Sequence, residues 1–87
     1  MRLVVKADME EIKGGVAAYA RAIGLAGHGR TAPDAIDSLQ RSILAWCRGL
    51  ELAGKLEIVL KEKGLNSERT EAASISVDVR VAGNRVA

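Results

Sequence analysis

The 87-residue chain has no phenylalanine, and its only aromatic side chains are Tyr19 and Trp46, 2% of the total. A core built from it must therefore rely on Leu, Ile, Val and Ala around those two rings. A single cysteine, Cys47, excludes an internal disulfide and a cysteine-based metal cluster, and it reads as a small core hydrophobe. The longest apolar stretches, such as Ile43 to Cys47, fall far short of the ~20 residues that cross a bilayer. Lys6 and Asp8 interrupt the N-terminal run before the core of a signal peptide could form. A cytoplasmic protein with no membrane partner is expected. Charge of one sign is lacking too: the net +2 comes from residues 1 to 30, with five basic and three acidic side chains, while the rest of the chain balances. A pI near 9.0 would suit nucleic acid, but no Lys/Arg run accompanies it.

Apolar residues make up 48% of the chain, a globular composition. Its length fits one domain, expected over residues 1 to 82 with 83 to 87 as a frayed tail. At this size folding hides only roughly 60% of the unfolded surface, so a homo-oligomer, dimer or tetramer, is expected to add burial.

Residues 2 to 9, RLVVKADM, alternate Leu3, Val5, Ala7 and Met9 with Val4, Lys6 and Asp8, the period of a half-buried strand. After EEIKGG, where Gly14 and Gly15 can supply positive φ, a second alternation through Val16, Ala18, Ala20 and Ala22 completes a hairpin. A weaker third strand covers Leu25 to Arg30, with Gly27 and Gly29 on the covered face, where missing side chains would let a helix approach closely. Thr31 is a good N-cap, followed by Pro33 in the first turn and Asp34 at the third position. Ile36, Leu39, Ile43, Trp46 and Leu50 then follow helical steps. Gly49 and Gly54 each cost about 1 kcal/mol relative to Ala, so a bend or break is expected near them. A shorter helix runs to Lys63 on Leu56, Val59 and Leu60, and Gly64 with Leu65 matches a Schellman ending. NSERTEAA reads as a polar connector, and Ile75, Val77, Val79 and Val81 mark the cleanest strand.

The expected fold class is α+β, in the order β-β-β-α-(α)-β. It has a three-stranded antiparallel meander, a long amphipathic helix with a bend or break expected near Gly49 to Gly54, and a final strand parallel to the first by a right-handed crossover. One sheet face is covered by helix and the other is open.

Neither catalysis nor a cofactor is indicated. His28 has no spaced metal-ligand partner, and no Ser or Cys lies in a nucleophile motif. GLAGHG lacks the GK[ST] of a phosphate loop. Only Asp8 and Asp78 could approach each other on the open face, and two carboxylates alone fall short of a hydrolytic two-metal site. The same parity gathers Lys6, Tyr19, Arg21, His28, Arg30 and Arg80 on that face, together with Asp8 and Asp78. Such a surface suits protein contact, stacking and phosphate binding of single-stranded nucleic acid, or plain solvated charge pairs.

The stretch Gly14 to Trp46, GGVAAYARAIGLAGHGRTAPDAIDSLQRSILAW, resembles the HicB family of antitoxin domains. Tyr19 matches the family's strand end, Gly24 its turn glycine, Gly29 and Thr31 its Gly-x-Thr, and Asp34 with Ala35 its helix opening. The resemblance implies a partly degenerate ribonuclease-H-like fold, β-β-β-α-β, and a role in binding and blocking a HicA-like toxin that cleaves mRNA. Ala20 and Ile23 replace the family's turn prolines, Arg21 its Glu and Leu25 its Cys. Nothing after Val81 suggests the DNA-binding segment of many members, so a stand-alone domain without autorepression is expected, the alternative being an orphan with another protein partner.

Overall fold

The computed structural model describes residues 1–68, 70 and 74–81. Seven elements follow one another: β1 (Arg2–Ile12), β2 (Gly15–Ala20), β3 (Leu25–Gly29), α1 (Ala32–Leu52), α2 (Leu56–Glu62), β4 (Asn66–Glu68) and β5 (Ser76–Val81). The fold is α+β, with three antiparallel strands, a long and a short helix, and a last strand parallel to β1. Hydrogen-bonded neighbours run β3-β2-β1-β4, and β5 also pairs with β1. Arg2 to Val4 pair with both β4 and β5, which therefore flank β1 on opposite edges.

The core follows from the parity of the strands. Leu3, Val5 and Ala7 of β1 and Ala18 and Ala20 of β2 are buried against Ala35, Leu39, Ile43 and Cys47 of α1. Trp46 and Leu50 pack against this core while staying partly exposed. Alanines on β2 and glycines on β3 keep the sheet thin under the helix. A Cβ on Gly27 would fall 2.3 Å from Leu39 N, and one on Gly29 would fall 2.4 Å from Asp34 Cβ. Burial drives the thiol of Cys47 above its ordinary pKa, and the nearby charge of Glu51 pushes the same way.

Thr31 begins α1 as its sequence predicts, in extended backbone with its Oγ1 accepting from Asp34 N–H at 3.3 Å. Both helices end in Schellman geometry. Lys55 N–H donates to Leu50 O and Gly54 N–H to Glu51 O; Leu65 N–H donates to Leu60 O and Gly64 N–H to Lys61 O. Gly54 and Gly64 take φ of 71° and 68°, the left-handed region those endings require.

Several boundaries differ from the sequence pattern. β1 continues past Met9 to Ile12, because its backbone pairs with Gly15 to Ala18. Gly14 alone supplies positive φ at the hairpin; Gly15 is instead a strand residue, where a Cβ would strike Gly29 O. β2 stops at Ala20, leaving Ala22 exposed in the turn. Gly49 does not break α1, which ends only before Gly54. The expected polar connector contains β4, whose Asn66 to Glu68 pair with Val4 to Arg2. The expected tail, 83 to 87, lies outside the described residues.

Candidate functional site

The face of the sheet away from α1 is lined by the even residues of β1 and their cross-strand partners. Asp8 stands opposite Tyr19 and Glu10 opposite Ala17 on β2. Tyr19 and Ala17 stand in turn opposite Ala26 and His28 on β3. On the other side of β1, Arg2, Val4 and Lys6 stand beside Ser76, Asp78 and Arg80 of β5. Lys6, Tyr19, His28 and Arg80 thus share one face. Arg21 reaches the same face from the turn after β2, through its contacts with Asp8 and Tyr19. Arg30 is exposed immediately beyond β3.

These residues do not form a continuous cationic surface. Arg21 Nε lies 2.8 Å from Asp8 Oδ2, and its guanidinium carbon lies 5.5 Å from the centroid of the Tyr19 ring. The one aromatic ring of the face therefore already has a cation on it. At the opposite end, Asp78 Oδ2 lies 3.1 Å from Arg80 Nη2 and 3.7 Å from Arg2 Nη2. Arg2 Nε also stands 3.3 Å from Glu68 Oε1, an ion pair without hydrogen-bond alignment. Each such exposed pair contributes at most about 1 kcal/mol. Their larger consequence is to cancel charge across the face.

Asp8 and Asp78 do not converge. Asp78 pairs in register with Val4, four residues before Asp8 on β1, a separation of about 13 Å at ~3.3 Å per strand residue. Each carboxylate is held by its own arginine. Among the described residues, no group of three or more His, Cys, Asp or Glu side chains could hold a metal ion.

The face is low along β2 toward the β1–β2 hairpin. Gly15 has no side chain, and Ala17, only 4% exposed, lies between Glu10 on one side and His28 on the other. An acidic flank and a basic flank therefore border a shallow floor along β2, closed at one end by Tyr19. His28 is held by its backbone: its N–H donates to Ser38 Oγ of α1 at 3.3 Å, which leaves the imidazole exposed.

Sequence parity missed three members of this surface. Arg2 and Glu10 have the parity of Lys6 and could have been included on that ground. Glu68 could not, because no apolar alternation marks β4. Comparison with known protein families, with curated proteins and with solved structures finds no match in any of the three. No helix among the described residues is long and apolar enough to cross a membrane.

Proposed function

We propose that this chain is a non-enzymatic protein-binding domain and that, as its resemblance to HicB antitoxins implies, it neutralises a HicA-like mRNA-cleaving toxin through the open sheet face. The observation that carries this reading is the mixed charge of the face. The groups Arg21–Asp8 and Arg2–Asp78–Arg80, with Glu68, alternate in sign along the face, and the low floor at Gly15 and Ala17 continues it beyond Asp8, between Glu10 and His28. Interleaved charges of both signs beside a shallow, partly apolar floor favour a protein surface of matching pattern, since complementarity fixes register and rejects other partners. A polyanion gains less from such a face, because its phosphates would compete with carboxylates already in place.

The test is co-expression with a HicA-like toxin, sought as a short basic reading frame beside this gene. The product should arrest growth when expressed alone and be tolerated when this chain accompanies it. Arrest that persists in the presence of the chain removes the antitoxin reading.

One observation favours a second reading. Lys6 and Arg80 lie side by side in the β1–β5 register, and Arg21 follows Asp8's partner Tyr19 on the same face. These cations, with His28 and Arg30, could follow the backbone of a single-stranded nucleic acid. Binding of a short single-stranded RNA would then weaken steeply with salt, and again on Arg21→Glu. Absent or salt-insensitive binding eliminates this reading.

A further inference from the structure

The outer edge of β5 carries a self-complementary pattern. Ser76 N–H donates to Met1 O at 2.9 Å, so the backbone groups of Ser76 face β1. With the two-residue period of a strand, Asp78 and Arg80 face β1 as well, and Val77, Val79 and Val81 turn their N–H and C=O groups to the opposite edge. The Val77 carbonyl is reached there by Gln40 Nε2 of α1, at 3.3 Å. Among the described residues, no strand pairs with that edge. The edge at β3 is guarded differently, because Ser38 occupies the outward N–H of His28, one residue from the end of this short strand.

We propose that two copies of this chain associate through β5, antiparallel about a two-fold axis at Val79. In that register Val79 of each copy exchanges both backbone hydrogen bonds with Val79 of the other. Directly opposed residues share a face, so Asp78 meets the partner's Arg80 on the open face, and Arg80 meets the partner's Asp78. On the helix-covered face, Val77 meets the partner's Val81, a residue 42% exposed in the single chain. Moving the axis one residue earlier sets Asp78 against the partner's Asp78, and one residue later sets Arg80 against the partner's Arg80. Of these three registers charge favours the one about Val79, the only one that sets Asp78 against the partner's Arg80, and the contact is isologous as a closed dimer requires. The sheet then runs unbroken through both copies. Because this inference rests on strand pairing alone, it stands whether or not the open face binds a toxin.

Sedimentation of the 87-residue chain over a concentration series tests it. The mass should approach twice the 9.2 kDa of one chain as concentration rises. Val79→Pro removes an N–H that β1 does not use, so the variant should keep the wild-type circular dichroism and sediment as a single chain. Asp78→Arg and Arg80→Asp should each weaken association about tenfold by opposing like charges, and the double exchange should restore it. The charge series decides the matter if Val79→Pro fails to fold. A mass of 9.2 kDa up to millimolar concentration overturns the proposal. So does a folded Val79→Pro that still dimerises, a double exchange that does not recover, or a dimer dissolved instead by Leu52→Glu, at the 91% exposed apolar side chain on the far end of α1.

Discussion

At Gly27 an added Cβ would meet Leu39 N at 2.3 Å, Leu39 Cα at 2.7 Å and Ala35 O at 2.8 Å, all of them backbone atoms that a rotamer change cannot move. Gly27→Ala should therefore force α1 away from β3 and cost roughly 3 kcal/mol, the upper end of ordinary overpacking. At Gly49, inside α1, an added Cβ meets nothing within 4 Å, and the backbone has no positive φ. Gly49→Ala should stabilise the protein by about 1 kcal/mol through helix propensity. Urea denaturation of the two variants checks both signs. The role of Gly27 was legible in its parity alone, whereas that of Gly15 was not, since its constraint is an approach to Gly29 that only the β2–β3 register creates. Cys47 supplies a pH-dependent case. Its thiol is buried and its pKa raised, so the stability it contributes is fully present below the ordinary thiol pKa and lost as pH rises through the raised value. Thermal unfolding followed into the alkaline range should fall more steeply for the wild type than for Cys47→Ala, which gives up about 1 kcal/mol of packing near neutrality.

The helices show how far local chemistry reaches. Thr31 starts α1, and Gly54 and Gly64 end α1 and α2, each by a mechanism visible in the residue type. Thr31→Ala should remove the bond to Asp34 N–H and cost about 1 kcal/mol, measured by thermal or urea unfolding, with no change in the strands. Gly49 shows where propensity loses. Its penalty of about 1 kcal/mol is smaller than the burial of a single large side chain, and Ile43 and Cys47 hold that part of α1 in the core. β4 lay beyond the sequence pattern for a related reason. Asn66, Ser67 and Glu68 have neither alternation nor strand propensity, and they form a strand because β1 offers an unpaired edge at Arg2 to Val4.

For the molecule as a whole, period-2 parity was enough to place Lys6, Tyr19, His28 and Arg80 on one face, because a strand's alternation is a geometric constant. It could not say which charges meet. That depends on register: the pairing of Asp8 with Tyr19 brings Arg21 to Asp8, and the pairing of Val4 with Asp78 sets Asp78 between Arg2 and Arg80. Those contacts turn a set of cations into a mosaic of both signs, and the proposed role in protein recognition follows from that mosaic. Tyr19 stands at its centre, half-buried and closing the floor above Ala17, the kind of position where one ring carries much of a binding energy.

The most direct test is the affinity between this chain and a HicA-like toxin, measured by titration calorimetry for the wild type and for Tyr19→Ala. The account predicts a complex that Tyr19→Ala weakens at least about tenfold while circular dichroism and unfolding stay near those of the wild type. Equal affinity of the two proteins would contradict the assignment of the open sheet face as the binding surface.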